Sequence, residues 1–437
     1  MRLAGKLAAA VLAASLTAGS CAAASASPRQ GTGNAASRTA AVTDPSARAT
    51  EHAFSNEITR TITASDRSDR QALPASLRHD LAHPVLRTMK AWDVQTKDTG
   101  GTLLFSDSPE YVNRDGILYS DTVQGDARVL FYHLNNTDVT KKVAVVLENH
   151  SDQYTIIHVT RGGMSQPSSN YLEVGKGTQV EYFDQQLNGK IYIGKGEKRL
   201  LQDDMDSTVL QPGQLVYGVF DFSSKQPVRV SVIMYPADAN PLDFIKDAVV
   251  LPKDEHRLRG TFRGMDRIIS SSRAYDPRRD GIVYIPIGDN ERDTYRTGID
   301  ATDGSLVTNY GNYGVLYRIS IPMRGDYSAR YFLSPLGGVY AGAMRVDYGR
   351  RSNLLLTPGG RTYFGDATPP ESQGEVKARD EGTATLSHYT ELADLGTYDS
   401  KSEPSFEYSP PGASNLPVNL ILMPAAEHTL APNEKRR

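Results

Sequence analysis

PVRVSVIMYP, residues 227–236, decides how this chain is read. Val228, Val230, Val232 and Met234 occupy every second position. A strand repeats its side-chain direction every two residues, so this spacing puts four aliphatic groups on one face. A helix would need apolar spacings of three and four. Working outward, the same vocabulary recurs in ARVLFYHL (127–134), KKVAVVLEN (141–149), YTIIHVT (154–160), QVEYF (179–183), KIYIG (190–194) and QLVYGVFDF (214–222). NNTD and NHSDQ separate the first three runs and carry turn chemistry.

The run LDFIKDAVVLPKDEHRLRG (242–260) breaks the pattern, and GTFRGMDRIIS (260–270) opens a second strand series. The two series look alike. VLFYHLNN, KKVAVVLEN and YTIIHV match VLYRISIP, ARYFLSP and YAGAMRV in order. PVRVSVIMYPA closes the first and PVNLILMPA (417–425) the second. These observations predict an all-β chain of two tandem antiparallel β-sandwiches, residues 101–250 and 256–425. A short helical segment is expected within 71–100, where Leu77, Leu81, Val85 and Met89 recur at fourfold spacing. Residues 426–437 are expected to form a disordered tail.

Composition supports this reading. Of 437 residues, 23 are Tyr against 11 Phe and 1 Trp, and tyrosine suits half-buried strands. The formal net charge of -3 argues against the basic balance that nucleic acid selects. The amino terminus reads as an export signal over residues 1–26. Arg2 and Lys6 precede an apolar run from Leu7 to Ala18, and Ala24-Ser25-Ala26 fits a cleavage site. Residues 27–70 read as a disordered linker with a reach of roughly 35 Å. Cys21, the single cysteine, lies in AGSC and is a candidate lipidation residue, the one route to a membrane that the sequence offers. With one cysteine, no internal disulfide can form.

The search for chemistry yields few sites. LVTNYGNYGVLYR (306–318) holds an Asn-Tyr pair of the kind that carries a quinone cofactor, but no His-x-His accompanies it. Tyr310 and Tyr313 therefore read as turn aromatics. HDLAH (79–83) has two histidines at zinc-motif spacing, with Pro84 against a helix. Asp289 and Asp293 in DNERD, with Asp300 and Asp303 in GIDATDG, are candidate Ca²⁺ ligands on one long loop. QDDMDS, with Asp203, Asp204 and Asp206, is a weaker one. No catalytic residue is assigned and no cofactor is expected beyond that Ca²⁺. The loop 289–313 is the expected ligand surface, through Tyr310, Tyr313, Asp289 and Asp293.

LLFSDSPEYVNRDGILYSDTVQGDARVLFYHLNN, TRGGMSQPSSNYLEVGKG, TGIDATDGSLVTNYGNYGVLYRI, LGGVYAGAM and SPPGASNLPVNLILMP resemble uncharacterised exported bacterial proteins associated with copper amine oxidase N-terminal-like, or stalk, domains. The likeness covers roughly residues 101–425. It implies a shared fold and a surface location, without the catalytic amine oxidase domain. The expected protein is an exported cell-envelope binding or structural module, its partner an extracellular glycan or surface protein. The alternatives are a polysaccharide- or peptidoglycan-active enzyme with a site between the two sandwiches, and an assembly or spacer subunit. Mass spectrometry of the mature amino terminus should find Ser27, or a lipidated Cys21; an intact Met1 would contradict export.

Overall fold

In the computed structural model, residues 87–336, 338–359, 383–386, 392–401 and 403–425 are described. They fall within one unit, Pro74–Arg437. The chain is all-β, as its alternating runs predict, with strands in one eleven-stranded and two six-stranded sheets.

Two long antiparallel strands, Gly116–Asn135 and Leu215–Pro236, form the spine of the large sheet. Their register runs from Leu215 opposite Leu134 to Met234 opposite Gly116. It slips between Ser224 and Val228, and Gly125 faces that break with a φ of 84°. Only glycine adopts such a backbone without strain, so both strands bend here. The bend also changes partners. Residues 218–224 pair with the strand Thr155–Met164, whereas residues 229–236 pair with Lys141–Glu148. PVRVSVIMYP is thus a central strand. Ile233 and Tyr235 are as buried as Val232 and Met234, so both faces are covered at this end. The expected one-sided alternation gives way to the continuous burial of an interior strand.

The turns follow the sequence closely. Asn135 and Asn149 each accept hydrogen bonds on Oδ1 from the backbone and side chain two residues on, Thr137 and Ser151. Their amides donate to carbonyls across the turn, Val139 at 2.9 Å and Gln153 at 2.7 Å, and to the distant carbonyls of Leu210 and Ile193. NNT and NHS are therefore turn locks with buried asparagines.

Three expectations need correction. The segment expected to be helical holds strands at Arg87–Ala91 and Gln95–Thr99, while Leu77, Leu81 and Val85 lie outside the described residues. Arg87–Ala91 lies between Thr383–Leu386 and Val283–Ile287, and Gln95–Thr99 forms a sheet edge beside Asp266–Ser270; that pairing overrides the weak fourfold pattern. Second, QVEYF is not a strand but part of a helix, Tyr171–Asp184. Third, the two expected halves share a sheet: Arg259–Arg263 pairs along its length with Thr102–Ser106. The repeated runs also pair differently. Leu316–Ser320, Ala329–Pro335 and Gly342–Tyr348 are spread over the two smaller sheets, while their counterparts lie in one.

Buried charge ties the large sheet to its neighbour. Arg128 and Asp221 stand opposite each other in register, and Arg161 flanks Asp221 on the other side. Arg128 Nε and Nη2 donate to the two Asp221 carboxylate oxygens at 2.6 and 2.8 Å. Nη2 also reaches Asp266 at 3.1 Å, and Nη1 donates to the carbonyls of Met265 and Gly314. Arg161 donates to Glu407 at 2.7 Å; Arg318 spans Glu407 and Asp266 at 2.8 and 3.3 Å. Tyr182, from the helix, donates to Asp221 at 2.9 Å and lies under both Arg128 and Arg161. Arg128, Arg161 and Arg318 balance Asp221, Asp266 and Glu407. Removing one member leaves an uncompensated charge in a dry interface, which costs about 3–5 kcal/mol. Arg128→Met should lose that much stability in urea denaturation. Lys195→Ala, whose partner Asp152 is exposed, should change stability by less than about 1 kcal/mol.

Candidate functional site

The stretch 289–313 is not one loop. It contains a hairpin of Arg296–Ile299 and Leu306–Asn309. Asp289 Oδ1 accepts the N–H groups of Glu291, Arg292 and Asp293 and so builds a turn. Asp293 is buried, paired with Arg267, and accepts from Tyr317 at 2.6 Å and from the Gly288 N–H at 2.7 Å. Asp300, also buried, accepts from Arg259 at 2.9 Å and lies 3.2 Å from Lys253. The same lysine reaches Asp303 at 2.6 Å. Burial alone would raise the Asp300 carboxyl, but hydrogen bonds from Thr302 and Arg259 hold it below the usual range.

The four acids considered for Ca²⁺ are thus engaged with cations and turn amides, in separate groups. Among the described residues, no three His, Cys, Asp or Glu side chains form a group able to hold a metal ion. Asp206 accepts from Lys142 and Tyr235. HDLAH and Cys21 lie outside the described residues. Tyr310 is half exposed and meets Tyr295 edge-on at 5.8 Å. Tyr313 donates to the Ser414 carbonyl at 2.6 Å.

A different group stands out. The strand Thr102–Ser106 runs into Asp107, then a cis Ser108-Pro109 bond, Glu110 and the short strand Tyr111–Val112. This corner is pinned from both sides. The Asp107 N–H donates to the Leu258 carbonyl at 3.0 Å. The Glu110 N–H donates to Asp254 Oδ2 at 2.8 Å, and the Ser108 hydroxyl to Asp254 Oδ1 at 2.8 Å. Beneath it His133 bridges Ser106 and the Pro109 carbonyl, each at 2.9 Å. Burial depresses the His133 imidazole to about 4, so the ring is neutral at physiological pH. With a carbonyl on Nδ1, that nitrogen carries the proton and Nε2 accepts from Ser106. Ser106 is fully buried, so this pair positions the corner and offers no accessible nucleophile.

Among the described residues, no cation pairs with these carboxyls. Asp107 Oδ1 is buried without a hydrogen-bond partner. Burial first, then the charges of Glu110 and Asp254, push the Asp107 carboxyl well above the carboxylate range. Burial and the charges of Asp254 and Glu255 lift Glu110 to about 7. Five tyrosines lie within electrostatic reach of the group. The Glu110 charge raises Tyr111 to about 12, after burial, and also raises Tyr171 and Tyr132. The Asp107 charge acts on Tyr132, Tyr217 and Tyr313. Tyr132 and Tyr217 are register partners with rings 5.9 Å apart. Gly412 lies against both; a Cβ there would come within 2.9 Å of the Tyr132 ring.

Of the residues expected to bind ligand, Tyr313 joins this group. Asp289 and Asp293 are occupied elsewhere, and Tyr310 faces Tyr295. Asp107 and Glu110 were missed because SDSPEY reads as an ordinary turn. The available signal was two acids and a tyrosine within five residues, with no basic residue among them.

No family model matches the chain, and no curated protein does. A solved structure of PNGF-II aligns over 82% of this chain and 69% of its own, at 10% identity and a TM-score of 0.14. An 11S globulin from Wrightia tinctoria covers 78% of this chain and 83% of its own, at 8% identity and a TM-score of 0.11. Vicilin from tomato covers 73% and 84%, at 11% and 0.10. Scores this low establish no common fold, and nothing about function is drawn from them.

Each carboxyl of the pair binds its proton more tightly in the folded protein than in the unfolded one. For Glu110 that contribution is full below the unfolded pKa and is lost as pH rises through about 7. Between pH 5.5 and 8 the unliganded protein should lose about 2 kcal/mol relative to Glu110→Gln. Urea denaturation of both at the two pH values measures this; parallel pH dependences would refute the assignment.

Proposed function

We propose that this chain is an exported, non-catalytic ligand-binding protein of a bacterial envelope, with its binding site at Asp107 and Glu110. The three sheets are read as packed in sandwich fashion, an architecture that carries its sites on end loops. The observation that carries the proposal is the charge imbalance at the corner. Asp221, Asp266, Glu407, Asp293 and Asp300 each have an arginine partner. Among the described residues, Asp107, Glu110 and Asp254 have no ion-pair partner; Asp254 accepts from backbone amides and the Ser108 hydroxyl, and the charges that act on Asp107 and Glu110 are those of other carboxylates. Half-buried carboxyls with strongly raised pKa values concentrate at functional sites. The tyrosines supply aromatic area of the kind that lines small-ligand sites.

One observation favours a second reading. A carboxyl at about 7 beside another carboxyl suits general acid–base work on polysaccharide or peptidoglycan. Release of reducing ends from wall material, abolished by Glu110→Gln, would establish that reading in place of binding alone.

The direct test is thermal-shift screening of the full chain against sugars, amino sugars, amino acids and amines. At least one class should raise the melting temperature, and Asp107→Asn with Glu110→Gln should remove the shift while keeping the circular dichroism spectrum. No shift from any class, or a shift that survives both substitutions, would refute a binding site at this corner.

A further inference from the structure

We propose that Asn188 and Gly189 form a site of self-catalysed covalent modification, where the chain converts its own asparagine into aspartate and isoaspartate. The proposal goes beyond the binding reading and does not depend on it. No other asparagine of the chain is followed by glycine. The reaction needs the backbone nitrogen of the next residue to reach the asparagine Cγ. Glycine has no Cβ to obstruct that approach and the widest backbone freedom to reach it.

The local structure leaves this pair able to react. It lies on the strand Gln186–Ile193, whose one strand partner among the described residues is Thr155–Met164. Pairing is regular from Ile193 opposite Thr155 to Gly189 opposite Val159, and resumes with Gln186 opposite Arg161. Leu187 and Asn188 therefore stand against the single residue Thr160. Such a β-bulge leaves one residue out of the ladder. Asn188 and Gly189 are both exposed. The Asn188 amide has no hydrogen-bond partner among the described residues. Other asparagines differ. Asn135 and Asn149 are buried, with Nδ2 and Oδ1 both engaged. Asn309 and Asn312 are held in the same way. An amide fixed at both ends cannot turn its Cγ toward the next nitrogen.

The deprotonated Gly189 nitrogen adds to the Asn188 Cγ. The bond from Cγ to the amide nitrogen breaks, and ammonia leaves with the proton. The product is a five-membered succinimide, which water then opens. Breaking its nitrogen–Cγ bond gives aspartate in an ordinary chain. Breaking the nitrogen bond to the main-chain carbonyl carbon routes the chain through the side chain as isoaspartate. One water is consumed and one ammonia released, with no change of oxidation state. Either product places a carboxylate beside Lys190. Isoaspartate adds a methylene to the main chain. Within a paired stretch that would break the register, but at a bulge on a strand paired along one side the added length is accommodated.

Peptide mapping by mass spectrometry tests this on the full chain, incubated near neutral pH and compared with the free peptide QLNGKIY (186–192). The peptide containing Asn188 should gain one mass unit and resolve into two isomers, one of them a substrate for isoaspartyl methyltransferase. Asn135 and Asn149 should keep their amides, and the circular dichroism spectrum should not change. The folded chain should react within about tenfold of the free peptide. In Gly189→Ala a Cβ would meet Val159 at 3.4 Å, an ordinary contact. That variant should fold and react about tenfold more slowly. If Asn188 keeps its amide in the folded chain while the free peptide loses it, the strand holds the pair out of reach and the proposal is overturned. Loss at Asn188 that Gly189→Ala does not slow would also overturn it.

Discussion

The fold depends on how the Arg128 guanidinium is compensated. It sits in the middle of a long strand, almost wholly inaccessible to water, and its five N–H groups must all be answered. The sheet supplies Asp221 from the adjacent strand. The facing sheet supplies Asp266 and the Met265 carbonyl, and a turn supplies that of Gly314. No two of these three sources could be moved apart without stranding a charge, so the position of the sheets is fixed as firmly by polarity as by the aliphatic core around Val145, Val230 and Ile233. The helix is drawn into the same arrangement. Tyr182 closes Asp221 from above, and a Cβ at Gly175 would lie 2.0 Å from the Gly412 carbonyl oxygen. That close approach requires glycine in the interior of a helix, where it is otherwise unfavourable.

Two more groups repeat the logic. Arg267 and Arg296 share Asp98, and Arg267 also holds Asp293. Arg259 and Lys253 meet Asp300, with Asp303 on the lysine. In each, burial alone would make the charged form costly, and a partner within ion-pair distance offsets that cost. Against this regularity the Asp107 corner is an exception of the kind that binding sites produce. Its backbone is held by hydrogen bonds to Asp254 and to the neutral histidine. Only its charge is left open.

Much of the strand content was legible because alternation in runs such as 227–236 is a local signal. The NNT and NHS turns were legible for the same reason. The helix at 171–184 was hidden by Gly175, Gly177, Val174 and Val180, poor helix formers that obscure its period. Asn170 followed by Glu173 was the overlooked start signal, and Asn170 does cap the helix. The ion pairs were not legible at all. Arg128 and Asp221 are 93 positions apart, and Arg161 and Glu407 are 246 apart, so only the assembled sheets bring them together. The loop acids and the acids at 107 and 110 look alike in sequence. What separates them is whether a cation arrives from a distant strand, and that is a tertiary fact.

The most direct measurement is a ¹³C-carboxyl NMR titration of the folded, unliganded protein from pH 3 to 9. The account predicts that Glu110 titrates near 7 and Asp107 well above the ordinary carboxylate range, while Asp98 and Asp300, held low by their arginine and threonine partners, titrate below it. If Asp107 and Glu110 instead titrate with the ordinary carboxylates near pH 4, a cation already compensates them and the corner is no different from the rest of the molecule.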